Sequence, residues 1–375
     1  MYPSTDEAKS SQTWWSGVFA AGQFASANIL LLLGSASLIV SGWAPFAVIV
    51  LIMIFGSFAD EISGDDWDRL SDSARAFFNF NLYLSLPLMF VLTALLVLFS
   101  LEYPSFADHP VQLIGAIWAV GYLLALVGAT VGHELTHRQG RLPQTIAHLL
   151  LGFTGNTSFT IYHVHVHHRL VGTYEDASTA RRGERFPTFV ARTIIQQFTQ
   201  AARVEAARLR RRGMPVWSHH NRLIRAHAAP LSILAVVAAI GGPFAILVFG
   251  LAGVLGRLFH ELVNYVQHFG LVRAETAPIR PRHSWDSYRR LSNVLHYNLP
   301  RHSDHHMFAT KPFWRLDALD DVPMLPYGYQ TMATIALIPP LWRRVMGQLL
   351  KDWDARFASE AEREIIHARN WDGLA

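Results

Sequence analysis

Apolar and polar positions fall in long blocks along this chain, not in the short alternation of strands or the evenly mixed faces of soluble helices. Six apolar stretches are long enough, or nearly so, to cross ~30 Å of hydrocarbon at about 1.5 Å per residue. They cover 19–40, 43–58, 82–100, 111–131, 223–241 and 243–262. Ser41-Gly42 breaks the first pair, and Gly241-Gly242-Pro243 reads as a tight turn between the last two. A polar, acidic segment (60–75) precedes the third stretch, and a long polar block (133–227) follows the fourth. Two further segments have helical spacing without spanning length. One is an amphipathic run over 188–212, the other an aromatic and arginine-bearing run over 328–351 broken at Pro339-Pro340. The pattern predicts an all-α fold: one unit over 1–375, with a bundle of six transmembrane helices and a helical cap formed by 132–222 and 263–375.

Composition agrees. Of 375 residues, 51% are hydrophobic and 16% charged, against roughly 25% charged in soluble domains. The net charge of +4 is carried almost wholly by arginine, since Lys9, Lys311 and Lys351 are the only lysines. In so apolar a chain a basic balance points to positive-inside loops, not to nucleic acid. Fourteen arginines lie between Arg138 and Arg225, and none lies in the 102–110 loop. The cap and both termini are therefore expected on the cytoplasmic side, which also places the acidic 60–72 loop there. The opening 1–17 segment lacks the order of a cleaved signal and reads as mature sequence.

Cysteine is absent and histidine occurs 19 times. That excludes disulfides, iron–sulfur clusters, thiolate zinc sites and cysteine nucleophiles. The histidines are grouped. His133 and His137 are i, i+4 at the end of the fourth stretch; His163, His167 and His168 form a second group with His165 among them. His268 follows the sixth stretch, and His302, His305 and His306 form a third cluster. All lie at or beyond ends of spans on one expected face. Nine imidazoles exceed the three or four ligands of one zinc and suit two ions of a borderline metal: iron, copper or zinc. His133–His137 is also a literal HExxH, the zinc protease signature. That reading leaves the other seven clustered histidines unused. A metal-binding transporter or sensor would need polar residues along the spans, which are nearly free of them.

These motifs together resemble the integral-membrane di-iron hydroxylases, the alkane 1-monooxygenases and their xylene-monooxygenase-like relatives within the membrane desaturase-like superfamily. The resemblance covers roughly 55–347. It rests on the acidic 60–65 segment, HELTHR (133–138), Tyr174-Glu175-Asp176-Ala177, NYVQHFG (264–270), Leu299-Pro300-Arg301 before HSDHH (302–306), Leu325-Pro326-Tyr327-Gly328-Tyr329 and Pro339-Pro340-Leu341-Trp342. It implies that His133, His137, His163, His167, His168, His268, His302, His305 and His306 bind two irons. The HFG motif and the HxxxHH spacing favour hydroxylase over desaturase. Tyr162, Val166, Gln267, Phe269 and Pro300 depart from the family's usual residues, and His165 is an extra candidate beside His163.

The resemblance further implies O₂ as co-substrate and hydroxylation of an unactivated, terminal C–H bond of an alkane or alkyl chain in a bacterial inner membrane. Desaturation, or oxidative decarboxylation of a fatty acid to a terminal alkene, would use the same centre. Two electrons must arrive from a soluble carrier, a rubredoxin or a ferredoxin-type reductase. Arginines over 181–212, or Arg289, Arg290 and Arg301, offer it a basic surface. Glu134, Asp176 and Asp304 are the carboxylates expected to accept N–H bonds from ligand imidazoles. An apolar substrate would enter from lipid; Gly22, Gly34, Ala36 and Gly56 either leave room for it or pack helices closely. His109, His148, His219, His220, His227, His260, His283, His296 and His367 have no assigned role.

Overall fold

The computed structural model describes residues 21–371, so the 1–17 segment and the start of the first apolar stretch lie outside it. The described residues are helical, with no strands beyond two isolated bridges, Asp65 to Arg289 and Asp286 to Met324. Four long apolar helices come first: α1 (Ala21–Val40), α2 (Ala44–Ile62), α3 (Asp72–Glu102) and α4 (Pro110–Thr136). Shorter elements follow: α5 (Arg141–Gly152), α6 (159–170) and α7 (Phe186–Arg211). The 47-residue α8 (Arg222–His268) comes next. The chain ends with α9 (Arg290–Leu295), α10 (His302–Met307), α11 (Tyr329–Ala336), α12 (Pro339–Arg356) and α13 (Glu360–Ala368).

Among the described residues five helices, not six, are long and apolar enough to cross a membrane, because α8 contains both of the last two apolar stretches. It is broken at Gly242, whose φ of 69° is left-handed and open to glycine without penalty. The two arms fold back on each other. A methyl group on Gly152 would touch Ala229 and Pro230 of the first arm, while one on Gly253 of the second arm would meet the neighbouring Phe153 carbonyl. The turn expected at 241–243 is therefore this one residue. Asn221 caps the first arm by accepting from the Leu223 and Ile224 amides, so the arm starts at 222.

Large apolar side chains remain exposed along these helices, among them Ile39, Ile54, Leu98, Val236 and Val254. A soluble surface would not display such a belt, and a lipid-facing one would. α4 is the most buried of the long helices and forms the centre of the bundle. A second core, built on Tyr265, Trp285, Tyr329, Trp342 and Trp353, holds the polar segments together. The acidic loop belongs to that layer: Asp60 accepts from the Ser292 amide at 2.8 Å, and Asp65 pairs with Arg289 at 3.1 Å. Its acids thus face the basic 289–301 segment, which explains how an acidic loop sits on the arginine-rich side.

Candidate metal centre

Four histidine-bearing pieces meet at the end of α4. The hydropathy that builds α4 ends before its last turn, which is polar and carries His133, with His137 just beyond. α8 likewise continues past its apolar stretch to place His268 at its end. α10 is a short helix of about a turn and a half carrying His302, His305 and His306 at i, i+3 and i+4. The second histidine group lies in a π-helical turn over His163–His167. The wider turn matters, because i→i+5 spacing stacks His168 below His163, which an α-helix would not do. Their Nε2 atoms are 3.0 Å apart. His165 points to the exposed side, so His163 is the one turned inward.

The imidazoles form two groups. In the first, His133, His137, His163 and His305 offer nitrogens that all lie within 4.8 Å of one another, and His168 joins through His163. In the second, His167, His268, His302 and His306 do the same. His163 Nε2 is 2.9 Å from that of His133 and 3.0 Å from that of His137; His302 Nε2 is 3.0 Å from His268 and 3.1 Å from His306. One nitrogen cannot share a proton with three others at once. Separations near 3 Å are what lone pairs show when they converge on an ion held at about 2.0–2.1 Å with neighbouring ligands roughly at right angles. His305 Nε2 is buried with no protein partner. Five and four imidazoles accordingly fit one ion each. Burial and the crowd of neighbouring imidazoles hold His163, His168, His302, His305 and His306 well below the usual histidine range, in the neutral form that ligates.

The groups differ in support. His167 Nδ1 donates to Asp176 Oδ2 at 2.9 Å; Asp176 also accepts from Tyr162 at 2.6 Å and Thr179 at 2.7 Å. Burial opposes ionisation of Asp176, yet the facing imidazole and these hydrogen bonds hold it well below the usual carboxylate range. His268 Nδ1 donates to the His283 carbonyl at 3.1 Å, and the His283 ring is held by Glu362 at 2.8 Å. His302 Nδ1 lies 3.4 Å from the Gln267 amide. Nδ1 of His163 and His168 in the first group, and of His306 in the second, is buried without a protein acceptor.

Of the three expected carboxylates, Asp176 alone touches an imidazole. Glu134 pairs with Arg138 and accepts from the Phe313 amide, because the position after His133 is turned about 100° around the helix from it. So engaged, it is not placed as the base of a zinc hydrolase. Asp304 pairs with Lys311 at 2.7 Å and accepts from the Asp317 amide, bracing the loop after α10. Three residues without an assigned role in the sequence prove to matter here. His283 and Glu362 support His268, and Asp286 accepts from both the amide and the hydroxyl of Ser303 at 2.8 Å, anchoring α10. Burial pushes Asp286 up to about 7.

An apolar cleft runs along α4 to the two groups. Ala125, Leu126, Ala129 and Leu299 form its walls, and His133, His163 and His302 lie at its end. His260 and His296, also unassigned, line it; His260 is held by Asn156 at 3.0 Å and meets Phe159 edge-on.

With the geometry in view, the comparisons with known proteins are specific. The family model described as fatty acid desaturase matches residues 108–336, more than half of the chain. The hydroxylase component XylM of the xylene/toluene monooxygenase of Pseudomonas putida is 33% identical, over 77% of this chain and 78% of its own length. Alkane 1-monooxygenase 1 of Pseudomonas aeruginosa is 38% identical over 62% of each chain. An alkane 1-monooxygenase of Ectopseudomonas oleovorans is 30% identical over 84% of this chain and 80% of its own length. The chain belongs to the fatty acid desaturase family. The matches to the two Pseudomonas aeruginosa alkane 1-monooxygenases span about three fifths of their lengths, 62% and 63%.

Proposed function

We propose that this protein is a membrane-bound non-haem di-iron monooxygenase that hydroxylates an unactivated, terminal C–H bond of an alkane or alkyl chain. The observation that carries the reading is the pair of convergent imidazole groups, five and four nitrogens, at the end of an apolar cleft. His133, His137, His163, His168 and His305 would hold one iron; His167, His268, His302 and His306 would hold the other. Once bound, the irons supply the O₂ reduction that delivers one oxygen atom to the C–H bond. The protein's part is positional. Asp176 and the His283 carbonyl orient His167 and His268 so that Nε2 faces the ion. The apolar walls align an alkyl chain end-on and exclude water from the histidines.

The names of the relatives support this substrate class, and the exposed apolar belt supports delivery of the substrate from lipid. In this reading 1–375 is one unit. Its six spans include the two arms of α8, and the cap over 132–222 and 263–375 lies on the cytoplasmic side of a bacterial inner membrane. α7 leaves Ile194, Ile195 and Phe198 exposed beside its buried face, which suits an interfacial helix. Two electrons per turnover come from a soluble carrier of the rubredoxin or ferredoxin-reductase type.

The test is metal analysis of purified protein with an O₂-dependent product assay on octane, toluene and a fatty acid. Close to two irons per chain and an alcohol product are expected. Well-occupied protein with one zinc, or alkene as the main product, would refute the reading. His268→Ala should abolish turnover and lower iron content; near-normal values would refute that ligand.

A further inference from the structure

The second imidazole group is wired to one particular surface. From His167 the path runs through Asp176, two residues from Tyr174. From His268 it runs through the His283 backbone and ring to Glu362 of α13, the helix that leads to Arg369 and Trp371. These two ends meet at the surface. The Arg181 guanidinium carbon lies 3.8 Å from the Tyr174 ring centre and that of Arg369 lies 4.0 Å from it. Both guanidinium groups therefore pack on the one tyrosine ring. Arg369 also lies 5.2 Å from Trp371, whose ring is stacked with Tyr174 at 6.3 Å. The result is a ladder: Arg181, Tyr174, Arg369, Trp371.

Several arginines around this surface are committed to carboxylates or carbonyls. Arg182 is paired with Asp354, Arg192 with Glu184, and Arg273 with three carbonyls. Among the described residues the guanidinium groups of Arg181 and Arg369 have no carboxylate partner, and Arg181 Nε is buried with none at all. Glu184 lies beside Arg181 but is held by Arg192 and the Arg181 amide. Two surface cavities open onto this ladder, and Tyr174 is 38% exposed between them. Unpaired guanidinium on an accessible aromatic is a surface lacking its anionic half.

We propose that the Arg181–Tyr174–Arg369–Trp371 ladder is the docking surface and electron entry for a small acidic one-electron carrier protein, an inference that rests on the oxygenase reading. Carboxylates of the carrier pair with Arg181 and Arg369, which bring its iron against Tyr174 and Trp371. Each encounter moves one electron: the carrier's ferrous iron becomes ferric, and one ferric ion in the imidazole site becomes ferrous. Two encounters supply one turnover. The electron enters at the second group, through Asp176 to His167 and through Glu362 and His283 to His268. The site is distinct from the exposed arginines at the end of α7, which have no comparable link to the histidines.

The test uses the full iron-loaded protein in lipid nanodiscs, with rubredoxin and a [2Fe–2S] ferredoxin as probes. Two quantities are read: binding of the oxidised probe against salt, and the rate of iron reduction by the reduced probe. Charge reversal at Arg181→Glu with Arg369→Glu should weaken binding of the better probe about tenfold or more and flatten its salt dependence. Reduction by that probe should slow by the same factor while reduction by dithionite is unchanged. The conservative Arg181→Lys with Arg369→Lys should stay within about threefold, since it keeps the charge. Arg210→Glu with Arg211→Glu, on the end of α7, should have little effect. Unchanged binding in the first pair, a larger loss in the last pair, or no binding of either probe to the wild type would overturn the dock. Product formation with no probe binding would overturn the dock alone, whereas a wild type without redox-active iron would overturn the oxygenase reading with it.

Discussion

Asp176 and His167 are joined by a hydrogen bond of 2.9 Å, and both are buried. The carboxylate fixes the proton on Nδ1, so the lone pair of Nε2 must face His268, His302 and His306. Tyr162 and Thr179 hold Asp176 in turn, so the orientation of one imidazole is set by a chain of three contacts. Asp176→Asn keeps an acceptor but removes the charge that makes the imidazole a stronger ligand. Iron affinity should fall about 10–100-fold, with helix content preserved. Iron titration of the chelated variant measures it, and an affinity equal to wild type would contradict the assigned role.

The unequal support of the two groups predicts unequal retention of metal. Two rings of the second group, His167 and His268, are hydrogen-bonded to fixed acceptors; Nδ1 of His163 and His168 in the first group has none in the protein, a lack that His306 shares in the second. Rings without such anchors turn more freely and lose less order when the ion leaves. Chelation at neutral pH should therefore be biphasic, the faster phase releasing the ion of the first group. In His268→Ala the slow phase should become fast while the other keeps its rate. Release in a single phase from the wild type would show that the asymmetry has no energetic weight.

Much of this was legible before the structure, and the remainder was hidden for definable reasons. Apolar runs locate the long helices because burial in lipid is read residue by residue. They stop short of the ligands, however: α4 and α8 continue through polar turns to His133 and His268, beyond any hydropathy window. The nine clustered histidines declare themselves by spacing. The partition into two groups does not, because it depends on a π-helical turn that local propensity scarcely encodes. Supports are harder still. Asp176 was accessible as an acid near ligands, but Glu134 and Asp304 satisfied the same criterion and bind Arg138 and Lys311 instead. Glu362 is 79 residues from His283, and only tertiary packing pairs them.

Acid should destabilise the metal-free protein through the same imidazoles. Burial first, then neighbouring rings, hold His302, His305 and His306 well below the ordinary value of about 6.5. In the unfolded chain they titrate normally, so below about 6.5 the unfolded state binds more protons than the folded one. Stability is then fully present above that value and lost as pH falls, by up to about 1.4 kcal/mol per pH unit for each such histidine. Melting of the chelated protein should be flat above pH ~7.5 and fall steeply from pH ~6.5 to ~5.5. A melting temperature independent of pH over that range would contradict the neutral, buried histidines.

Backbone contact between α4 and the second arm of α8 sets the spacing of the ligands those helices carry. A methyl group on Gly256 would lie 2.9 Å from the Gly121 carbonyl, and one on Gly121 would lie 2.8 Å from the Ala252 carbonyl. Backbone cannot yield as a flexible side chain can, so either alanine must push the helices apart. Small residues at Gly22, Gly34, Ala36 and Gly56 were expected either to leave room for substrate or to serve this purpose. Gly22 and Gly56 have nothing within 4 Å of an added methyl, and Gly34 would meet the tip of Leu123. Gly256→Ala should therefore cost about 1–3 kcal/mol of stability, and Gly56→Ala close to nothing. The consequence reaches the proposed metal site, since α4 carries His133 in its last turn with His137 just beyond, and the arm of α8 ends in His268. Gly256→Ala should accordingly lose iron more readily as well as melt lower, and the two losses should track each other across Gly121→Ala and Gly256→Ala. Lower melting with unchanged iron retention would show that the close approach supports the bundle alone and leaves the ligand spacing to the cap.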